Sequence, residues 1–352
     1  MSHNLGGFRN QVTPDGDPLT LFTLRNENGF EATFMDWGAT WLSCLFPLSD
    51  GKWRETLLRS ATFNDHLAHS VYFGATIGRY ANRIRGGTFQ SNDETFALTR
   101  NHFQNTLHGG SRGFDRHRWE GVQEDDRTVV FTRHSPDGEE GFPGTLDVKV
   151  TYALGDDNRL VATYEATTDK RTPVNLTNHA YFNLSGDPTI LDHRLTIHAD
   201  AFLPVDQECI PTGNLEPVVG TNFDFRAPRA FRDSGGEAIP FDHSFLLRVD
   251  KTPIMKNAAR LCSPSGDLIL DIATDKPALQ LYNGEHLEGL PGRDGKPLQK
   301  FAGLALETQF LPDSPNRGAS PNRESWPHET SFLDPGQHYR YQTLFRFMAQ
   351  EN

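Results

Sequence analysis

Three polar segments hold the histidines and carboxylates that could carry out proton-transfer chemistry. The first runs through 78–84 (GRYANRI), 105–110 (NTLHGG) and 113–115 (GFD). The second is 173–184 (PVNLTNHAYFNL), and the third is 306–313 (LETQFLPD). Histidine and carboxylate side chains serve most often as general acids and bases, because their pKa values can be tuned towards neutral pH. These segments are therefore the candidates for a catalytic site.

Each segment also has a purely structural interpretation. Arg79 and Arg83 lie four residues apart and belong to a residue type that is mostly found on the surface. His108 stands before two glycines, which is typical of a turn. The amides around His179 could satisfy the backbone of their own loop. From the residues alone, these alternatives stay open.

Glu307 carries the stronger functional signal. It follows the apolar run 303–306, which is typical of a buried strand. A buried acid is costly unless it is hydrogen-bonded, and that cost is often found at functional sites. Asp242, between Phe241 and Phe245, raises the same question.

Other chemistries lack their motifs. The chain has no HExxH-type metal spacing, no P-loop, no strand-linked GxGxxG and no GxSxG elbow. Its three cysteines, Cys44, Cys209 and Cys262, are odd in number and far apart, which excludes a CxxC site and a disulfide framework. We therefore expect no metal, no cofactor, and reduced cysteines of the kind found in the cytoplasm.

The charge of the chain narrows the class of partner. Its 352 residues carry a formal net charge of −12, whereas a nucleic-acid or anionic-membrane partner would need a basic face. No run approaches the ~18 apolar residues of a membrane span. Residues 1–4 do not begin a basic and then apolar stretch, so we expect no secretory signal. The predicted partner is a neutral small molecule, for a cytoplasmic monomer or homodimer.

Alternation with a period of two predicts the elements that must position these side chains. Apolar residues alternate with polar ones over 146–152 and again over 160–166, with a turn-forming GDDN at 155–158 between them. The stretches 268–272 and 339–347 show the same pattern. These segments are predicted to be strands with one buried face.

The distribution of glycine and proline along the chain favours an all-β fold. Its 31 glycines and 22 prolines are spread throughout, and no stretch has the pattern of a helix of three turns. Without helices alternating with strands, a parallel α/β sheet is disfavoured. We expect a large antiparallel β-sandwich forming one domain over 1–352, with two smaller β domains as the alternative.

Taken together, the polar segments resemble the aldose 1-epimerase, or galactose mutarotase, family. The resemblance rests on GRYANRI, NTLHGG with GFD, NLTNHAYFNL, FDHSF and LETQ, in that order between Gly74 and Asp313. It implies a galactose mutarotase-like supersandwich. It also implies an isomerase that interconverts the α and β anomers of free aldohexoses, such as galactose and glucose, without a cofactor.

The resemblance also implies a role for each matching residue. His179 matches the family's general acid, and Glu307 matches its general base. The positions that match sugar-binding residues are Asn82, Arg83, His108, Asp242 and Gln280.

Two further expectations follow from the chemistry of ring opening. Since a histidine of ordinary pKa near ~6.5 is mostly neutral at pH 7, we expect Glu307 or Asp242 to favour the charged form of His179. A neutral pyranose also presents apolar CH faces, so an aromatic wall is expected. Tyr181 and Phe310 are candidates for it, with a place in the core as the alternative.

Three alternatives compete with this interpretation. A glycoside hydrolase would need two carboxylates about 5–5.5 Å or 6.5–9.5 Å apart, for which Glu307 and Asp242 are the nominal pair. A non-catalytic carbohydrate-binding protein could share the fold. A relative acting on a phosphorylated sugar would need a basic cluster, which Arg79, Arg83 and Arg85 could supply.

Overall fold

The computed structural model describes residues 5–69, 71–249, 251–317 and 326–350. Residues 1–4, on which the expectation of no secretory signal depends, lie outside these ranges. Within them the single α-helix is α1 (Phe63–Ala68), which begins where the Thr62 hydroxyl accepts a hydrogen bond from the N–H of Asp65 at 3.1 Å. A search of the same ranges finds no helix with the length and apolar character that a membrane crossing requires.

Strands make up nearly all the regular structure of the described residues. They are β1 (Leu21–Arg25), β2 (Glu31–Met35), β3 (Thr40–Pro47), β4 (Trp53–Glu55), β5 (Thr76–Ile77), β6 (Arg83–Ile84), β7 (Thr88–Ser91), β8 (Glu94–Ala97), β9 (Thr106–Leu107), β10 (Glu120–Asp125), β11 (Thr128–Ser135), β12 (Leu146–Leu154), β13 (Arg159–Thr168), β14 (Thr172–Pro173), β15 (Thr177–Asn178), β16 (Tyr181–Phe182), β17 (Arg194–Ile197), β18 (Ala201–Leu203), β19 (Glu216–Pro217), β20 (Asp242–Leu246), β21 (Lys256–Cys262), β22 (Leu268–Thr274), β23 (Ala278–Tyr282), β24 (Leu304–Gln309), β25 (Phe332–Leu333) and β26 (Tyr339–Ala349).

Three larger sheets hold most of these strands, and the rest form two-stranded sheets. The largest has eight strands in the order β10-β11-β12-β13-β26-β22-β21-β17, the next has six in the order β16-β24-β23-β20-β18-β19, and the third has β1 to β4 in sequence order. Neighbouring strands in all three sheets are antiparallel. The prediction of an antiparallel all-β fold is confirmed.

The alternating stretches form the strands that their patterns predict. In β12 and β13 every second residue is buried, and Val150 lies opposite Tyr164 in the register. The turn between them is closed by a hydrogen bond of 2.8 Å from the N–H of Gly155 to the carbonyl of Arg159. Burial of one face and solvation of the other therefore fix the register of this hairpin.

The eight-stranded and six-stranded sheets enclose a common core, and the other face of the six-stranded sheet points away from this core. Core side chains come from β12, β13, β22 and β26 of the eight-stranded sheet and from β20, β23 and β24 of the six-stranded sheet. Across the interface, the Thr308 hydroxyl of β24 contacts that of Thr343 in β26. Since side chains alternate along a strand, Glu307 must point away from this core, to the opposite face of the sheet.

Candidate active site

The free face of the six-stranded sheet brings three of the predicted site residues together. Asp242 in β20, Gln280 in β23 and Glu307 in β24 all occupy positions that point away from the core. Gln280 pairs directly with Glu307 in the register, and Asp242 pairs with Tyr282. These residues are far apart in the sequence, and the strand order makes them neighbours.

A line of polar contacts crosses this face. Gln309 Nε2 lies 3.3 Å from the hydroxyl of Ser244, which donates to Gln280 Oε1. Gln280 Nε2 in turn donates to Asp242 Oδ1 at 2.5 Å, and Arg83 Nη2 donates to Asp242 Oδ2 at 3.3 Å. Each carboxylate or amide along this line is oriented by its neighbour.

His179 reaches the sheet from the short segment between β15 and β16. Its N–H donates to the carbonyl of Ala75, and its own carbonyl accepts from the N–H of Gly74, both at 2.9 Å. The imidazole Nε2 lies 3.5 Å from Glu307 Oε1, and both side chains are almost fully buried. The two residues that resemble an acid and a base therefore share one site.

A second wall of the site is formed by Asn82, Arg83 and His108. They belong to two loops, each of which has one of these residues in a left-handed backbone conformation. Asn82 has φ of 67° and His108 has φ of 52°. The Asn82 side-chain oxygen accepts from the Arg83 N–H at 2.8 Å. The backbone N–H of Asn82 donates to Nδ1 of His108 at 3.1 Å. This bond leaves the proton of a neutral His108 imidazole on Nε2, as a hydrogen-bond donor.

Close packing explains why the NTLHGG segment has a glycine at position 109. A Cβ on Gly109, whose φ is 88°, would lie 2.0 Å from the carbonyl oxygen of Gly78. Only glycine fits such an approach in this conformation. The loop that carries His108 is therefore packed directly against the start of the GRYANRI segment.

Burial sets the protonation of the central pair. It lowers the pKa of His179 to about 4 and, with a smaller contribution from Asp242, raises the pKa of Glu307 to about 8. Asp242 favours the charged form of His179, as expected, but desolvation outweighs this attraction, so the expectation of a charged imidazole is wrong. At pH 7 the pair holds one proton, on the carboxyl group.

Asp242 behaves in the opposite way to Glu307. Burial alone would raise its pKa, but Arg83, the Cys209 thiol and Gln280 together outweigh burial and lower it. Asp242 is therefore an ionised acceptor at neutral pH. The two carboxyl groups of the site differ because Asp242 has a cationic partner and hydrogen-bond donors, whereas Glu307 faces an imidazole that burial keeps neutral.

Four buried polar atoms around the site make no hydrogen bond within the described ranges. They are Arg83 Nε, His179 Nδ1, Glu307 Oε2 and Gln309 Oε1. Buried polar groups in folded proteins are nearly always hydrogen-bonded, so such a concentration needs a partner. Because the set includes both donors and acceptors, it fits a neutral ligand with several hydroxyl groups.

His108, His179 and Glu307 form a cluster whose side-chain types could also ligate a metal ion. One ring nitrogen each of His108 and His179 and a carboxylate oxygen of Glu307 all lie within 4.8 Å of one another. However, His108 Nδ1 accepts from the backbone of Asn82, so Nε2 carries the proton and offers no lone pair. The cluster therefore fits a hydrogen-bonding ligand better than a cation.

Four residues of the site are absent from the sequence-based prediction. Gln309 and Ser244 lie two residues beyond a predicted site residue of their own strands, so the strand period could have identified them. The Cys209 thiol, which donates to Asp242, and Tyr72, which contacts both histidines, lie in loops without any such signal.

The two aromatic candidates, Tyr181 and Phe310, lie in different surroundings. The ring centroid of Tyr181 lies 4.8 Å from that of His179. Phe310 is 1% exposed and packs against Tyr341 and His328, both at 5.4 Å. Tyr181 therefore stays a candidate for the wall of the site, and Phe310 belongs to the core.

The basic cluster needed for a phosphorylated sugar does not form. Arg85 turns to the carbonyl of Pro211, and only Arg83 contacts a site residue. Arg79 is 2% exposed, so its interpretation as a surface charge is wrong. The acceptors of its guanidinium are Ser135 Oγ and the carbonyls of Ser135, Pro136, Pro143 and Gly144.

An antiparallel β-sandwich with a buried acid–base pair and a site for a neutral, hydroxyl-rich ligand describes a class of carbohydrate-active proteins. Comparison with known proteins is more specific. The family model described as "Aldose 1-epimerase" matches residues 20–346. The chain belongs to the aldose 1-epimerase family.

Curated relatives match over almost the whole chain. The aldose 1-epimerase of Escherichia coli (strain K12) is 45% identical over 346 residues, which cover 96% of this chain and 98% of the relative. The galactose mutarotase of Homo sapiens is 40% identical over 353 residues, which cover 96% of each chain. The resemblance of the polar segments to this family is confirmed.

Solved structures support the fold. The GalM/aldose epimerase homologue from C. elegans superposes with a TM-score of 0.86 at 31% identity, covering 95% of this chain and all of the other. Galactose 1-epimerase from Lactobacillus acidophilus has a TM-score of 0.80 at 28% identity, covering 97% and 98% of the two chains. The prediction of a galactose mutarotase-like sandwich is confirmed.

Proposed function

We propose that this protein is an aldose 1-epimerase that interconverts the α and β anomers of free aldohexoses such as galactose and glucose. The observation that carries the proposal is the buried contact of 3.5 Å between His179 and Glu307. The unpaired polar atoms that surround it support the same conclusion. The family membership of the chain supports the reaction class.

Mutarotation needs a base for the anomeric hydroxyl and an acid for the ring oxygen. In the proposed mechanism Glu307, as carboxylate, accepts the hydroxyl proton while His179, as imidazolium, donates a proton to the ring oxygen. The C1–O5 bond breaks and the open-chain aldehyde forms. Rotation about C1–C2 presents the other carbonyl face, and reclosure returns both protons.

The protonation of the pair suits this cycle. Ring opening leaves Glu307 protonated and His179 neutral, which is the form that burial favours. The ionic form holds the same single proton, so it requires transfer within the pair and no uptake from solvent. A sugar hydroxyl that donates to Glu307 Oε2 would stabilise the carboxylate and favour that transfer.

The remaining residues hold the sugar in this proposal. Arg83 Nε and His108 Nε2 supply N–H donors, and Asp242 and Gln309 supply acceptors. Fixed donors and acceptors orient the sugar ring so that C1 and O5 face the acid–base pair. This orientation accelerates the reaction of the bound sugar. The list of proposed sugar-binding residues is Asn82, Arg83, His108, Asp242, Gln280 and, from the structure, Gln309.

The proposal also covers the domain organisation, the compartment, the cofactor requirement and the oligomeric state. The chain acts as one domain over 1–352, which is supported by an apolar cluster that runs from Phe22 to Phe347. It works in the cytoplasm, in agreement with three free cysteines. It requires no cofactor, and it is a monomer or a homodimer.

Polarimetry tests the proposal directly. Freshly dissolved α-D-galactose and α-D-glucose should reach rotational equilibrium faster with the protein than with buffer alone. Methyl α-D-galactoside is the matched control, because its anomeric centre is blocked and its rotation should not change. Unaccelerated mutarotation of both sugars would contradict the proposal. Release of reducing sugar from the methyl glycoside would indicate a hydrolase instead.

A further inference from the structure

His179 is held by ring contacts rather than by side-chain hydrogen bonds. Its Nδ1 is buried without a hydrogen-bond partner in the described part of the chain, and its Nε2 lies 3.5 Å from Glu307 Oε1. The imidazole packs against Tyr181, with centroids 4.8 Å apart, and against Tyr72, with centroids 5.7 Å apart and planes 31° apart. The third ring contact of His179 within the described ranges is with the edge of His108, at 5.4 Å.

Tyr72 reaches this position through an unusual backbone conformation. Its φ is 59°, which is rare for a bulky residue. The N–H of Ala75 closes the turn onto the Tyr72 carbonyl at 3.0 Å. In the same turn, Gly74 and Ala75 bond the backbone of His179 on both sides. The turn and the proposed acid are therefore one connected unit.

The ring of Tyr72 contacts both histidines of the site. Its centroid lies 4.6 Å from that of His108, at an interplanar angle of 63°. The other titratable groups that face His179 are Glu307 and Asp242 on the sheet, Tyr181 in β16 and His108 on its loop. Tyr72 thus contacts His179 from a turn that lies outside the polar segments and outside the sheet.

We propose that Tyr72 is a positioning residue, whose ring fixes the imidazole of His179 and keeps water away from it. The proposal rests on the proposed function, in which His179 exchanges the proton of the ring oxygen. Orientation matters because proton transfer needs the imidazole nitrogen within hydrogen-bond reach of that oxygen. Exclusion of water matters because desolvation is what keeps the single proton within the pair rather than exchanging with solvent.

Four variants separate the ring from the backbone. Tyr72→Phe keeps the ring, and Tyr72→Asn removes it with a residue that tolerates a left-handed backbone. Tyr72→Gly is a second ring deletion that suits the same backbone. Phe103→Asn is the matched control, because Phe103 is also an aromatic residue with positive φ, at 53°, but is 68% exposed.

The expected results concern both rate and titration. Tyr72→Asn and Tyr72→Gly should lower kcat for galactose mutarotation about tenfold or more, with a smaller change in KM. Tyr72→Phe should restore most of the rate, and Phe103→Asn should leave it unchanged. By NMR titration, the pKa of the His179 imidazole should rise from about 4 towards its ordinary value in both ring deletions only.

The titration keeps this inference separate from the proposed function. An unchanged His179 pKa in folded Tyr72→Asn or Tyr72→Gly protein would overturn the role of Tyr72, whatever the rate. A loss of rate in Tyr72→Phe equal to that in the ring deletions would overturn it too. If the wild-type protein failed to accelerate mutarotation, the function would fail, and the titration would still decide whether Tyr72 shields His179.

Discussion

Arg79 and Arg83 lie four residues apart in one segment, yet the structure gives them opposite situations. Both are buried, with 2% and 8% of their surface exposed. Every nitrogen of the Arg79 guanidinium donates to a hydroxyl or carbonyl of the loop 135–144. Arg83 makes an ion pair with Asp242, and its Nε has no hydrogen-bond partner in the part of the chain that the structure describes. Burial is shared, and hydrogen-bond satisfaction is what differs.

Two carboxylates repeat this contrast. Glu139, beside Arg79, accepts two hydrogen bonds from Arg133 and one from Ser135, and its pKa is lowered by these partners against burial. Glu307, in the site, has no hydrogen-bond partner for Oε2 among the described residues, and burial raises its pKa to about 8. The Arg79 region uses its polar groups to hold loops together. The site keeps polar groups available, which is typical of a functional site.

The largest expected effect is the loss of the proposed base. Glu307→Gln should lower kcat for galactose mutarotation about 10²–10⁴-fold with the fold intact, because the amide cannot exchange the proton. Glu139→Gln is the matched control and should lower stability while kcat changes little. His179→Asn should behave like Glu307→Gln, and the double variant should lose little more than either, since residues that act as a unit are not additive. Near-normal turnover in Glu307→Gln would end the assignment.

The two arginines should separate stability from activity. Arg79→Met should lower the free energy of unfolding by about 3 kcal/mol or more, because it leaves several buried acceptors unsatisfied. Arg83→Met should change stability less and should raise KM and lower kcat together, because its donor orients the sugar. Urea unfolding and polarimetry on both variants measure these effects. The contrast would be broken if Arg83→Met proved as destabilising as Arg79→Met.

The sequence predicts the strands of this fold because each strand has one buried face. In β12, β13, β22 and β26 the period-two pattern reports directly on that burial. The same period places Gln309 on the face of Glu307. The family motifs indicate His179, Glu307, Asp242 and the other site residues, and the strand order explains how distant segments meet.

The protonation of the site and its loop residues could not be predicted in this way. The charge of His179 depends on desolvation by residues that are distant in the sequence, and the neighbouring carboxylate suggested the opposite result. Tyr72 has no pattern that marks it, because its position depends on a turn with positive φ. Arg79 and Arg83 look alike in sequence, since only the carbonyls of a remote loop distinguish them.

The smallest expected effect is a change in the pH dependence of stability. The folded protein keeps Glu307 protonated up to a pKa of about 8, whereas in the unfolded chain the group ionises near 4.5. For this group the unfolded state therefore binds fewer protons between these values, so the contribution of Glu307 to wild-type stability falls as pH rises from 4.5 to 8. Glu307→Gln does not titrate there, so its stability relative to wild type should increase steadily across this window. Urea unfolding from pH 5 to 8.5 measures the difference. Glu139→Gln should show a constant deficit over the same range, because the lowered pKa of Glu139 places its titration below pH 4.5. A difference for Glu307→Gln that is equally flat would show that Glu307 is as well satisfied as Glu139, and the contrast between the two regions would fail.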